Sequence, residues 1–347
     1  MGRKTKKVFG VTDEQVEKLN DDHKWLIDEF INYKIAEKLS EDTLKVYRSN
    51  LNIFFVWFEE NCKIKGKTKH FSQFKVRDLV NFQSFMIKNE LSGSRIANIR
   101  SSISSLSDYV ENVLSEDEDF TEYENFRNIV GKVKAPTKEK VREKTVLNDD
   151  QIQDLLDELV EEEKFELACA VALAWSSGRR KRELLEFKVS FIDDKYLQFG
   201  SLYKSPYAVK TKGKKLEVYI IKSKFKPYFD LWMEERKRMG VPDDIDDIFI
   251  KKEEGQWVAR SISSFNFWAD VISEWLDIDF YWHCLRHNFT TELLKQGLPE
   301  SVVQQIIGWS SSDMLRIYDD RDKDDILGEY FKDGEIITKE NKNLNDL

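Results

Sequence analysis

The sequence predicts a mainly α protein with a small β-sheet, arranged as an N-terminal helical domain followed by an α+β domain. Three observations carry this. Apolar residues recur at helical spacing over most of the chain. A stretch between 196 and 221 is instead short-segmented and rich in aromatic and β-branched residues, with a Lys212-Gly213 turn inside it. Between 131 and 146 apolar periodicity gives way to Lys, Glu, Thr and Pro136, the composition of an extended linker. The 347 residues exceed what one core usually organises, so two cores are expected. With 41% hydrophobic and 34% charged residues, 5 Pro and 14 Gly, the composition excludes disordered and fibrous classes.

Taken in order, residues 1–21 form a basic N-terminal extension, too short and polar for a separate folded domain. Its MGRKTKK start lacks the apolar segment of a secretory signal. Residues 22–130 read as amphipathic helices. Leu44, Tyr47, Leu51, Phe54, Phe55 and Phe58 share one helical face behind a Ser40 cap. Ile96, Ile99, Ile103, Leu106 and Val110 share another behind Ser92 or Ser94. The linker covers 131–146. The second domain, 147–337, opens on Asn148 or Asp149 as a helix cap and continues through an apolar helix around Leu167 to Trp175. Strands are expected at Tyr196–Phe199, Ala208–Lys210 and Leu216–Ile221. From Lys224 onward the pattern reads as helical, through Glu300–Ile307 to a last acidic helix near Asp324–Phe331. Residues 338–347 are a polar tail.

No apolar run approaches the length needed to cross a bilayer, so a cytoplasmic protein without membrane association is expected. Cys62, Cys169 and Cys284 are odd in number and lack metal-ligand spacing, which argues against disulfide and zinc frameworks. The net charge of −9 at first argues against nucleic acid, but its distribution matters more than its sum. Positive charge gathers at Arg3, Lys4, Lys6 and Lys7, along the linker (Lys132, Lys134, Lys138, Lys140, Arg142, Lys144) and in Lys210 to Lys215. Acidic runs lie elsewhere, at 115–119, 161–163, 243–247 and 319–325. One basic DNA-facing surface with an acidic back fits this segregation, while each run alone also fits a solvated face. The linker lysines, Arg142 and Lys210 are the candidate backbone contacts. Ser94, Arg95, Asn98 and Arg100, on one helix, either reach a groove or form a polar surface.

Three clusters carry chemistry. In Gly178-Arg179-Arg180-Lys181-Arg182-Glu183-Leu184, Arg180 and Glu183 are three apart on one helical face, and a carboxylate-oriented guanidinium grips two phosphate oxygens at once. Alone, this is also a capped helix start with a surface ion pair. In His283-Cys284-Leu285-Arg286-His287 an imidazole and a guanidinium again share a face, and 2 of the chain's 4 His stand beside that Arg. A half-buried helix start would give the same pattern. The third cluster is Gly308-Trp309-Ser310-Ser311, with Tyr318 nine residues after Trp309.

The order and spacing of Arg180, Lys212, His283, Arg286, Trp309 and Tyr318 resemble the tyrosine recombinase (phage integrase) family, over most of the chain from about Leu39 to Tyr318. The family's G-x-R-x-x-E-L is similar to Gly178–Leu184, its hairpin K-G-x-K to Lys212–Lys215, and its H-x-x-R-H box to His283–His287. Its L-G-H-S-S is similar to Ile307–Ser311, with tryptophan where histidine is commoner. Leu39-Ser40, Thr43-Leu44, Tyr47 and the Leu91–Leu106 region resemble the family's helical core-binding, SAM-like domain. An indole N–H donates a hydrogen bond but cannot shuttle a proton.

The resemblance implies a site-specific recombinase or integrase that cuts and rejoins DNA through a 3′-phosphotyrosine at Tyr318, without metal or other cofactor. It implies that Arg180 and Arg286 neutralise the non-bridging oxygens, that Lys212 protonates the departing 5′ oxygen, and that His283 deprotonates or orients Tyr318. Trp309 is then a phosphate donor that packs the site, with Glu183 and His287 in supporting positions. The implied partners are double-stranded DNA and further copies of the chain, as a dimer or tetramer on paired sites. The main alternative is a sequence-specific DNA-binding regulator, of phage repressor type, that keeps the fold without recombining. A type IB topoisomerase shares the chemistry but not the compact N-terminal helical unit. A metal-dependent nuclease would need a carboxylate cluster that these residues lack.

Overall fold

The computed structural model describes residues 10–137, 145–211, 214–309, 331–332 and 335–336, with backbone alone at 210–211, 214, 331–332 and 335–336. The chain divides into two compact units, with the division between Glu143 and Lys144.

The first unit contains α1 (Asp13–Glu17), α2 (Asp21–Ala36), α3 (Glu41–Asn61), α4 (Val76–Lys88) and α5 (Gly93–Asn112). Ser40 caps α3 by accepting from the Thr43 amide and Ser92 caps α5 by accepting from the Arg95 amide, which decides between Ser92 and Ser94. Phe54, Phe55 and Phe58 of α3 are buried against Phe71, Phe74 and Phe82, and Ile96, Ile99, Ile103, Leu106 and Val110 of α5 complete the core. A small hairpin, β1 (Lys63–Ile64) and β2 (Lys67–Thr68), turns at Lys65-Gly66, both at positive φ.

The end of this unit changes two expectations. Arg100, proposed from sequence as a groove contact, is buried at 6% exposure. Its guanidinium donates to Gln83 Oε1 and to the carbonyls of Val130 and Val133, satisfying backbone oxygens where the chain leaves the core. It therefore fastens 130–133 to α5, its donors directed to Gln83 and two backbone carbonyls of its own unit rather than to a groove. For the same reason the start of the expected linker is packed. Val130 is buried, Val133 packs on the core and Gln83 donates to the Lys134 carbonyl.

The second unit opens with α6 (Asp149–Glu161), capped by Asn148 in a reciprocal box with Gln151. The apolar α7 (Phe165–Ser177) is buried from Leu167 to Ser177 and forms the unit's centre. A short α8 (Lys181–Leu184) follows. Strands β3 (Leu197–Gln198), β4 (Leu202–Lys204) and β7 (Tyr219–Ile221) make an antiparallel sheet in the order β3-β4-β7. Strands β5 (Val209–Thr211) and β6 (Lys214–Leu216) form a separate hairpin. The single strand expected at Leu216–Ile221 is thus two, because Val218 leaves the β6 pairing and its N–H donates to Ser205 Oγ.

After α9 (Lys222–Arg238), the helical reading from Lys224 onward fails at two places, first at residues 250–259. Ile250–Glu253 (β8) and Gln256–Ala259 (β9) form a hairpin through Glu254-Gly255, both at positive φ. The turn is a Gly-containing two-residue loop of the type that matches strand twist. The hairpin is fixed by Glu166, which accepts from the Ile250 amide and from Arg260 Nε and Nη2. Then come α10 (Ile262–Leu276), α11 (His283–Lys295) and α12 (Glu300–Ile307). Phe331–Lys332 (β10) pairs with Glu335–Ile336 (β11), so the expected last helix does not reach Phe331; residues 324–330 lie outside the described residues. Among the described residues no helix is long and apolar enough to cross a membrane.

Candidate active site

The site is built on the turn that ends α7. Gly178 closes that helix in the left-handed region at φ +60°, and a Cβ there would lie 2.3 Å from the Phe289 ring, so both the conformation and the space require glycine. The turn aims three consecutive groups in different directions. The Gly178 carbonyl accepts from Arg286 Nη1 at 2.9 Å. The Arg179 side chain runs into the core toward the end of α12. Arg180 begins α8, its Nη1 donating to Glu183 Oε1 at 2.9 Å while its amide donates to Glu183 Oε2 at 3.2 Å. Glu183 is buried at 5% exposure and the Arg180 side chain is 41% exposed, so a fixed carboxylate holds a cation that still faces solvent.

The first turn of α11 supplies the facing groups. Arg286 is fully buried, and its guanidinium carbon lies 5.3 Å from the centre of the Trp309 ring. His283 meets His287 edge to face at 5.4 Å between ring centres. The His283 pKa is lowered to about 4, first by burial and then by the charges of Arg286 and Arg180, against a smaller opposing effect of Glu183. Near neutral pH its ring is therefore uncharged, with one ring nitrogen carrying no proton, though burial and the neighbouring charges disfavour its holding one for long. Cys284, next in sequence, is wholly buried with its thiol pushed up to about 12, which makes it a packing group. Gly308, at φ +76°, ends α12 and turns the chain so that Trp309, 8% exposed, stands over Arg286.

The depressed His283 pKa has a consequence for stability. An unfolded imidazole takes up a proton near pH 6.5 and the folded one only near pH 4, so acidification across that interval favours the unfolded state. Urea unfolding of wild type should lose about 1–2 kcal/mol more between pH 6.5 and 4 than His283→Gln does. Equal losses in the two proteins would show that His283 does not hold this shift.

The sequence from 145 to 324 matches the model of the phage integrase family, and residues 26–135 match that of the phage integrase N-terminal SAM-like domain. The chain belongs to the phage integrase family, the tyrosine recombinases. A relative, the SPbeta prophage-derived recombinase-like protein YomM of Bacillus subtilis (strain 168), is 32% identical over 230 residues. That match covers 65% of this chain and 66% of YomM, just under two thirds of its length. Tyrosine recombinase XerD of Listeria innocua is 24% identical over 303 residues, covering 84% of this chain and 93% of XerD. Among solved structures, XerH bound to palindromic difH substrate in a post-cleavage complex superposes with a TM-score of 0.63 at 19% identity, over 85% of this chain and 81% of that one. The last comparison bears on the fold alone.

Within this recombinase frame, Arg180, Glu183, His283, Arg286, His287 and Trp309 gather about the turns at Gly178 and Gly308. Lys212 and Tyr318 lie outside the described residues, as do Lys138, Lys140 and Arg142. Lys210 is described by its backbone in β5, in register with Lys215 of β6. Lys132 and Lys134 are exposed. Arg95 is partly buried, donating from Nη1 to Asn50 Oδ1 at 2.6 Å and Asn98 Oδ1 at 3.1 Å; these partners are neutral and leave its charge available to an anion. Sequence reasoning passes over Arg179, which at 1% exposure is among the largest fully buried side chains. The one signal for it is its place between a helix-ending glycine and an outward arginine, which points it back at the core.

Proposed function

We propose that this chain is a site-specific DNA recombinase that cleaves and rejoins double-stranded DNA, without metal, through a 3′-phosphotyrosine at Tyr318. The observation that carries the reading is the convergence of Arg180 and Arg286 with a neutral His283 and the Trp309 indole about the turns at Gly178 and Gly308. Two guanidiniums held before substrate arrives can take up charge building on phosphate oxygens without reorganisation, the condition under which such donors are most effective. His283 accepts the Tyr318 proton or orients its hydroxyl, whose ordinary pKa of about 10 makes it a poor nucleophile otherwise. Lys212 gives a proton to the departing 5′ oxygen. The phosphotyrosine keeps the bond energy, so resealing needs no nucleotide.

The test is to incubate the protein with DNA flanking its own gene, or a nicked suicide substrate from it, and to resolve covalent protein–DNA adducts on a denaturing gel. An adduct mapped to Tyr318 supports the proposal. Tight binding to a defined site with no adduct on supercoiled or paired-site DNA sinks it in favour of a regulator.

DNA is the proposed partner, and structures of related fold include lambda integrase as a dimer bound to a core site. Contacts from Lys132, Lys134, Lys138, Lys140, Arg142, Lys210 and Arg95 should make affinity fall steeply with salt despite the net charge of −9. Reversal of Lys138 and Lys140 to Glu should weaken binding to all sequences alike, since phosphate contacts position without reading bases. Affinity indifferent to salt would show the surface to be wrong. Assembly as a dimer or tetramer on paired sites is proposed through the segment after Tyr318, with Leu327, Tyr330 and Phe331 as contacts. Truncation before Asp325 should abolish paired-site recombination while single-site binding persists. Recombination at the normal rate by the truncated protein would refute this contact.

A further inference from the structure

We infer that Arg179 is a positioning residue for strand cleavage, one that clamps the end of α12 and thereby fixes Trp309 against Arg286; the catalytic part of this inference rests on the function proposed above. Arg179 Nη2 donates to the Ile306 carbonyl at 2.6 Å and Nη1 to the Ile307 carbonyl at 3.4 Å. These oxygens end α12, where a helix leaves carbonyls without intrahelical partners and carries partial negative charge. A guanidinium is the side chain suited to such an end, because its flat fork meets two oxygens and its charge opposes the dipole. Burial draws the Arg179 pKa down to about 10, which leaves it fully charged near neutral pH.

What lies around the clamp gives it a role beyond stability. Arg179 is covalently next to Arg180 and to Gly178, whose carbonyl holds Arg286. Immediately past the clamped carbonyls, the Gly308 and Trp309 amides both donate to Gln304 O, and the Trp309 ring then covers the Arg286 guanidinium. A Cβ on Gly308 would lie 2.3 Å from Leu216 of β6 and 3.6 Å from Arg179 Nη1, so the hairpin strand and Arg179 press on the same turn. One side chain therefore sets the distance between the turn bearing Arg180 and the turn bearing Trp309. Its guanidinium ends on the Ile306 and Ile307 carbonyls.

Two measurements on the full-length protein test this. Hydrogen exchange at residues 305–309 should speed up by about tenfold or more in Arg179→Met, the factor expected from loss of one charge-assisted hydrogen bond, while the amides of α7 keep their protection. Arg179→Lys, which retains a cationic donor, should restore part of the protection. Adduct formation on a nicked suicide substrate, at saturating DNA and well below the unfolding temperature, should slow by about tenfold in Arg179→Met with DNA affinity within about twofold of wild type. In a Trp309→Phe background the same change should have less than about a twofold effect, because two residues acting through one placement do not add. Unaltered exchange at 305–309, equal loss across the domain, or additive effects on the rate would each overturn the inference. If wild type forms no adduct, the proposed function fails, and the exchange pattern alone then decides whether Arg179 sets the Trp309 turn.

Discussion

Tyr318→Phe is expected to give no covalent DNA adduct at all while binding its site with an affinity within about twofold of wild type. The substitution removes one hydroxyl, keeps the ring, and takes away no cation. In the proposed function, binding depends on the guanidiniums and lysines, whereas bond exchange depends on the hydroxyl oxygen that attacks the phosphorus. The comparison is a denaturing gel for chemistry beside a filter or anisotropy titration for affinity, on one nicked substrate. An adduct that persists in Tyr318→Phe would move the nucleophile elsewhere. A loss of affinity by more than about tenfold, or about 1.4 kcal/mol, would give Tyr318 a binding role that the proposal does not contain.

The two arginines should fail in different ways, because the structure holds them differently. Arg180 is 41% exposed in its side chain and is held by the Glu183 carboxylate. Arg180→Ala should therefore slow adduct formation by about 10²–10³, the usual effect of losing one preorganised donor. Because it leaves the buried Glu183 carboxylate without its cation, the stability it costs should be recovered in large part by adding Glu183→Gln. Arg286 is fully buried, donates to Gly178 O and lies under the Trp309 ring. Arg286→Ala removes the same kind of donor and also leaves a buried carbonyl without its partner, a loss of about 1–3 kcal/mol of stability. Cleavage rates and thermal unfolding measured side by side distinguish the two. If Glu183→Gln recovered none of the stability lost in Arg180→Ala, the pairing of Arg180 with a buried carboxylate would be wrong.

Local chemistry makes much of this fold legible in the amino-acid sequence. The Ser40, Ser92 and Asn148 caps, the α3 and α5 faces and the buried α7 follow from side chains acting on their own neighbourhoods. What escapes a sequence reading depends on partners distant along the chain. Arg100 reads as a surface cation until the carbonyls of Val130 and Val133 are seen to need a donor. The β8–β9 hairpin is hidden because charged residues occupy its exposed positions, while its one strong signal, Glu254-Gly255, lies within a charge run. Motif spacing picks out Arg180 and Arg286 but is silent on Arg179, whose acceptors lie 127 and 128 residues away.

Those separations bear on when the protein can act during its own synthesis. Chains emerge from the ribosome N-terminus first and domains fold as their parts become available. The Gly178 carbonyl waits 108 residues for Arg286, and the Arg179 side chain waits longer still for its helix end. A nascent chain released before residue 286 thus carries Arg180 and Glu183 without the Arg286 guanidinium and Trp309 indole that complete the proposed site. Under the proposed function, prematurely terminated products should therefore form no covalent DNA adduct, and the capacity for strand cleavage should arrive only with the last elements of the domain.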